Sequence, residues 1–192
     1  MPIHVEKKAI RALGVAESFS PKDRFSTLAG VVMRSDLIID GFVIGKTKVS
    51  GFDASESIAE LFSKLRRNDI NAMILSGSVL SIYNIVDIDA LSEDIRIPVV
   101  ALTFKKSKSD LGRNIRAKFS PKIAKRKIEL LKKLGKPNEF HLSTGYSIFL
   151  RSSGISSFDS KRLLERFTLQ GAVPEPVRVA RLLAKAVASA MK

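Results

Sequence analysis

The chain has 192 residues, 45% hydrophobic and 27% charged, so a single domain over 1–192 with a sizeable core is expected. There is no cysteine, which excludes disulfides, zinc–thiolate sites and a thiol nucleophile, and fits the cytoplasm. Thirty-three Lys and Arg against 19 Asp and Glu give a net charge of +14, a balance that favours polyanionic partners over cationic ones.

In chain order, 9–17 ("AIRALGVAE") reads as a first, apolar strand. A loop with Pro21 comes next. Residues 27–34 and 37–50 read as a hairpin with a tight connection at Ser35-Asp36 and a bulge at Asp40-Gly41. The pattern then turns helical over 51–69, with Ile58, Leu61, Phe62 and Leu65 on one face and Asp53 or Ser55 at the start. Segment 70–77 is a nearly continuous apolar run, the mark of a strand covered on both faces. A loop and short helix occupy 81–94, and 97–106 forms another buried strand. Ser120-Pro121 opens a basic helix that runs to about 134 and ends at Gly135. A last strand falls within 141–153, and helices span 158–169 and 174–191.

Three antiparallel strands followed by β-α-β-α-β predict a mixed α/β sheet flanked by helices, with right-handed crossovers. The first strand then lies in the middle, between the hairpin and the fourth strand. That is a ribonuclease H-like arrangement, and it places Ala16 beside Ser76 at the strand ends.

The positive charge is local. Residues 105–136 hold 13 basic and 2 acidic side chains. Such a cluster attracts nucleic acid, DNA or RNA, with counterion release supplying affinity. A solvated basic helix and an anionic membrane surface are the competing readings. The start of the chain lacks the apolar core of a signal peptide, and no window approaches a membrane span. Lys105 and Lys106 at the end of the fifth strand, and Lys122, Lys125 and Arg126 on the basic helix, are the expected contacts. Arg113 and Arg116, just before that helix, join them. With 7% aromatic residues and no Trp, backbone binding is favoured over base stacking.

Other motifs carry less. "GFVIGKT" (41–47) is one residue short of a phosphate-binding loop and sits within a strand. His4 and His141 form no metal-binding spacing. Ser76-Gly77-Ser78 is not a nucleophile elbow. Tyr83-Asn84 suits a base contact or a packed, capped loop equally. Asp40, Asp53, Asp87 and Asp89 lie where turns and caps also favour Asp.

Six segments occur together in one order: "KKAIRALGVAESF" (7–19), "LAGVVMRSDLIIDG" (28–41), "VSGFDASESI" (49–58), "MILSGSVLSIYNIVDID" (73–89), "IPVV" (97–100) and "VPEPVRVARLLA" (173–184). On these the chain resembles the archaeal endonuclease dU family, relatives of endonuclease V. "PEPVRVA" (174–180) and "VSGFDAS" (49–55) are the most specific pieces. The resemblance implies a ribonuclease H-like fold and DNA repair at deaminated bases. It also implies carboxylates that hold Mg²⁺ or Mn²⁺ to activate water.

Measured against that pattern, the family's first acid falls on Ala16, its fourth-strand acid on Ser76, and the His or Asp after P-E-P-x-R-x-A on Arg181. Asp53 alone matches. Glu17 adjoins the first position but points to the other face unless the strand bulges. A nucleic-acid-binding protein with a degenerate metal site and little or no cleavage is therefore expected. No cofactor is expected in that case, and Arg181 is a candidate to hold phosphate directly. Two alternatives stay open. One is a working Mg²⁺ or Mn²⁺ endonuclease using Glu17, Asp53 and Asp40 or Asp87. The other is a non-catalytic subunit whose basic face meets an acidic protein. Oligomeric state is not legible in the sequence.

Overall fold

A computed structural model describes residues 9–104 and 110–191. In chain order the elements are β1 (Arg11–Ser18), β2 (Phe25–Arg34), β3 (Ile39–Lys48), α1 (Ala54–Ser63), β4 (Ala72–Leu75), β5 (Val79–Leu80), β6 (Asn84–Ile85) and α2 (Ile88–Ile95). They continue as β7 (Val99–Thr103), α3 (Leu111–Lys118), α4 (Pro121–Lys133), β8 (Asn138–His141), β9 (Ser147–Ser153), α5 (Ser157–Arg166) and α6 (Glu175–Ala190). Seven strands form one sheet in the order β3-β2-β1-β4-β7-β9-β8. The central β1, β4 and β7 run parallel, and the outer pairings are antiparallel. This is the expected order, with β1 between the hairpin and β4.

The bulge lies where Asp-Gly predicts it. Val32 pairs with Gly41 and Met33 with Ile39, leaving Asp40 as the extra residue. Its carboxylate accepts from Arg11 Nε at 2.5 Å and Arg67 Nη2 at 2.9 Å. Hydrogen bonds from Arg11 and then Arg67 hold the Asp40 carboxyl below its usual pKa.

Several details differ from the sequence expectations. The β2–β3 connection takes four residues, 35–38, with Leu37 in the left-handed region at φ 67°. Residues 79–85, which overlap the loop expected from 81, form the small β5–β6 hairpin. Arg113 and Arg116 do not merely precede the basic helix. They lie on a separate helix, α3, started by Asp110, whose carboxylate accepts from Arg113 N at 3.1 Å. The last strand is likewise a hairpin, β8–β9. Asp53 and Ser120 occupy helix-start positions, but neither side chain bonds a helix amide. Ser55 instead accepts from Asp87 N at 2.9 Å.

Each sheet face carries its own core. On one side Leu13, Val15, Leu28 and Val32 meet Ile58 and Leu61 of α1 and Leu91 of α2. On the other, Ala12, Ile74, Val100 and Leu150 meet Leu163 and Leu164 of α5 and Val177 of α6. Helix α6 lies close on β1 because Gly14 has no side chain. A Cβ there would come within 2.5 Å of the Pro176 carbonyl oxygen, which is backbone and cannot swing away.

Helix α4 is anchored by a buried cation. Lys127 Nζ donates to Gly51 O at 2.6 Å and Tyr83 O at 2.8 Å. It also stands 4.0 Å from the centre of the Phe52 ring and 4.9 Å from that of Phe119. The side chain is fully buried. Burial and the neighbouring Arg126 charge push the amine's pKa down to about 8, against the pull of Asp53.

Both anchors can be tested. Gly14→Ala should cost about 1–3 kcal/mol, as overpacking does when backbone must shift, and urea unfolding measures it. An unchanged midpoint contradicts the close approach. Between pH 8 and the ordinary lysine value of 10.5, the unfolded chain holds a proton that folded Lys127 has released. Stability contributed at this site therefore rises with pH across that window and is lower below it. The wild type should gain on Lys127→Met as pH is raised from 8 to 10 in parallel urea titrations. A constant difference contradicts the buried, weakened amine.

Candidate functional site

The carboxyl ends of β1 and β4 lie side by side. Val15 pairs with Leu75, and Ser76 N donates to Val15 O at 2.9 Å. Strand alternation puts Leu13 and Val15 on the α1 face and Ala12, Gly14 and Ala16 on the α6 face. Ala16 packs there on Ala180 and Val31. Leu75 lies in the α1-face core, so the same alternation carries Ser76 to the side of Ala16. One residue past Ala180, the Arg181 guanidinium carbon sits 4.6 Å from the centre of the Phe104 ring, just beyond β7. Burial draws the pKa of Arg181 down. A methyl and a hydroxyl thus lie together at this corner, and the nearby guanidinium lies against Phe104. A hard divalent cation needs anionic oxygens in near-octahedral array, and these three groups do not fit one.

A groove of about 870 Å³ opens beyond β4 and β7, lined in part by Ser76, Ser78, Thr103, Phe104, Phe149 and Arg151. Arg151 braces it. Its Nη1 donates to Ser78 Oγ at 3.1 Å, and its Nε and Nη2 each donate to Gly135 O at 3.1 Å. The Ser76-Gly77-Ser78 turn is therefore a structural link between β4 and the end of α4.

The carboxylates sit elsewhere, occupied by protein donors. Asp53 accepts from Asn84 Nδ2 at 2.8 Å, Lys48 N at 3.1 Å and Thr47 Oγ1 at 3.2 Å. Burial raises its pKa, but the bonds from Asn84, Lys48 and Thr47 outweigh that and leave it lowered. Glu17 lies in unbroken register opposite Leu28, so no bulge turns it toward Ala16. Its oxygens accept from Ser26 Oγ at 2.7 Å, Ser81 N at 2.7 Å and the Ser81 hydroxyl. Asp87 caps α2 and pairs with Lys133 at 2.5 Å. Asp40 belongs to its arginine pair near the start of β1. Among the described residues, no three His, Cys, Asp or Glu side chains are grouped to hold a metal ion.

The basic surface is built by α3 and α4. Arg113, Arg116, Lys122, Lys125 and Arg126 are all exposed. Arg116, Lys125 and Lys132 rim a shallow groove over Phe119, Ala124 and Ile128. Arg126 stacks 4.6 Å from the centre of the Phe52 ring, beside the loop that carries Asp53. Lys105 and Lys106, and His4, lie outside the described residues.

The remaining motifs resolve into structure. Asn84 is buried, accepting from Ala54 N at 3.1 Å and donating to Lys48 O and Asp53. The Tyr83 ring packs edge-on to Phe119. His141 lies on β8, with its Nδ1 2.9 Å from Ser147 Oγ. The "GFVIGKT" run is strand β3. Sequence reasoning missed the structural work of Lys127 and Arg151. For Lys127 a signal existed, since it falls in helical register with Ala124, Ile128 and Leu131.

Comparison with known proteins agrees with the sheet order. The family profile described as Endonuclease dU matches residues 8–188. A UPF0215 protein of Pyrobaculum calidifontis is 34% identical over 175 residues, covering 91% of this chain and 95% of its own. Among solved structures, a protein of unknown function from Archaeoglobus fulgidus superposes with a TM-score of 0.76 at 24% identity, over 93% of this chain and 98% of that one. Endonuclease V of Ciona intestinalis, in complex with a 24mer DNA containing an inosine followed by a ribo-adenosine, gives 0.65 at 12% identity, over 96% and 88%. No helix among the described residues is long and apolar enough to cross a membrane. The sheet order is ribonuclease H-like, as in endonuclease V, and the chain belongs to the endonuclease dU family.

Proposed function

We propose that this chain binds nucleic acid through its phosphate backbone and has little or no metal-dependent cleavage activity. One observation carries the reading: Ala16 and Ser76 lie side by side where strands β1 and β4 end, and Arg181 follows Ala180, which packs on Ala16. The family resemblance assigns metal-holding acids to the positions of Ala16 and Ser76, and a His or Asp to that of Arg181. A neutral hydroxyl cannot supply the missing charge, and a guanidinium repels a cation. The exposed arginines and lysines of α3 and α4 supply the affinity, because each neutralised phosphate releases counterions. Their arrangement on two helices beside the strand-end groove supports a backbone track rather than a base-reading pocket.

The rival reading, a rearranged site of Glu17, Asp53 and a third carboxylate, would require Glu17 to abandon Ser26 and Ser81. A strand-cleavage assay on deoxyuridine- and deoxyinosine-containing DNA with Mg²⁺ and with Mn²⁺ separates the two. No turnover above a metal-free control is expected. Robust, metal-dependent cleavage lost in Asp53→Ala would refute the reading. Binding is tested by fluorescence anisotropy over a range of salt. Substituting Lys122, Lys125 and Arg126 together by Ala should flatten the log–log salt slope by about 2–3, at roughly 0.9 per duplex phosphate contact. An unchanged slope, or no binding by the wild type at low salt, counts against it.

A further inference from the structure

Arg181 differs from Arg11, Arg67, Arg178 and Arg151 in what it faces. Arg11 and Arg67 share Asp40 and Asp69. Arg178 pairs with Glu175 at 3.1 Å. Arg151 spends its donors on Gly135 O and Ser78 Oγ. For Arg181 the one contact found among the described residues is the Phe104 ring. Its side chain is partly buried, and among the described residues no carboxylate is paired with it. A cation in that condition is costly unless an anion completes it.

The ring contact also aims the group. A guanidinium over an aromatic face is held there by the ring quadrupole, while its five N–H donors stay directed outward. Such a fork matches two oxygens of one phosphate. Phe104, the ring that Arg181 meets at 4.6 Å, lines the groove beyond β4 and β7 together with Ser76. Ala180, one residue earlier, is fixed against Ala16, so the backbone that carries Arg181 is held by the packed α6–β1 contact.

From this we infer that Arg181, oriented by Phe104, is a phosphate clamp: it takes one backbone phosphodiester of bound nucleic acid at the strand-end corner, without a metal. The inference rests on the proposed nucleic-acid binding and adds a specific anchor to it. The α3–α4 surface then supplies diffuse attraction, and Arg181 supplies one fixed contact.

The test uses the full chain in EDTA with a labelled 20-base-pair duplex. Arg181→Gln should lower the log–log salt slope by about 0.9, the loss of one duplex phosphate contact. It should weaken binding at ~0.1 M salt on the order of tenfold, the scale of one charge-assisted bidentate contact. Arg181→Lys should keep the slope but recover only part of the affinity, because an ammonium lacks the planar fork.

A local signal accompanies these measurements. The side-chain Nε–H resonance of Arg181, identified by its disappearance in Arg181→Lys, should shift when duplex is added. It should stay in place when sodium phosphate replaces chloride at equal ionic strength. If Arg181→Gln fails to fold, the resonance of the wild type decides alone. An unmoved resonance, with Arg181→Gln binding as tightly and as steeply as the wild type, overturns the clamp and leaves the α4-dependent binding intact. A shift with inorganic phosphate but none with duplex overturns it too. Absence of any duplex binding by the wild type brings down both this inference and the reading beneath it.

Discussion

Helix α6 can rest on the central strand only because Gly14 leaves room for the Pro176 backbone. That close approach fixes the placement of the helix's next turns. Ala180 comes down on Ala16, and Arg181 is carried past the sheet to the ring of Phe104. The corner where β1 and β4 end is therefore shaped by small residues packed backbone to backbone. Arg181 is the long side chain near it, so the chemistry there depends on where the Phe104 ring holds that guanidinium.

Charged side chains divide the molecule electrostatically. The acids near the sheet are spent on internal work: Asp53 on Asn84 and the Lys48 amide, Glu17 on the two serines, Asp40 on two arginines. At Asp53 and Asp40 these bonds favour the ionised form, and in all three they occupy oxygens that a metal would need. The bases on α3 and α4 are exposed, apart from Lys127, which is withdrawn to tie α4 to the loops at Gly51 and Tyr83. A basic outer surface thus rests on a buried cation, and the two roles sit on different faces of one helix.

Much of the fold was legible because its signals are local. Alternation and apolar runs locate the strands, and Asp40-Gly41 marks the bulge. The strand order comes from handedness once the elements are known. Helix α3 was not legible. It is short and mostly polar, and it depends on the Asp110 cap and on Ile115 packing against α4. The β5–β6 hairpin has two residues in each strand, too few for a pattern, and it is held by Glu17 from 64 positions away. The neighbourhood of Ala16 and Ser76 could be read from strand order. The stacking of Arg181 on Phe104 could not, since it joins two elements through a side chain's reach.

The most direct measurement is anomalous diffraction from a crystal of the chain with duplex DNA, soaked in Mn²⁺. The expected result is no manganese at the ends of β1 and β4, with a backbone phosphate on the Arg181 guanidinium. A manganese ion seated there, ligated by Glu17, Asp53 and a further carboxylate at about 2.0–2.2 Å, the usual range for small divalent cations on oxygen, would contradict it.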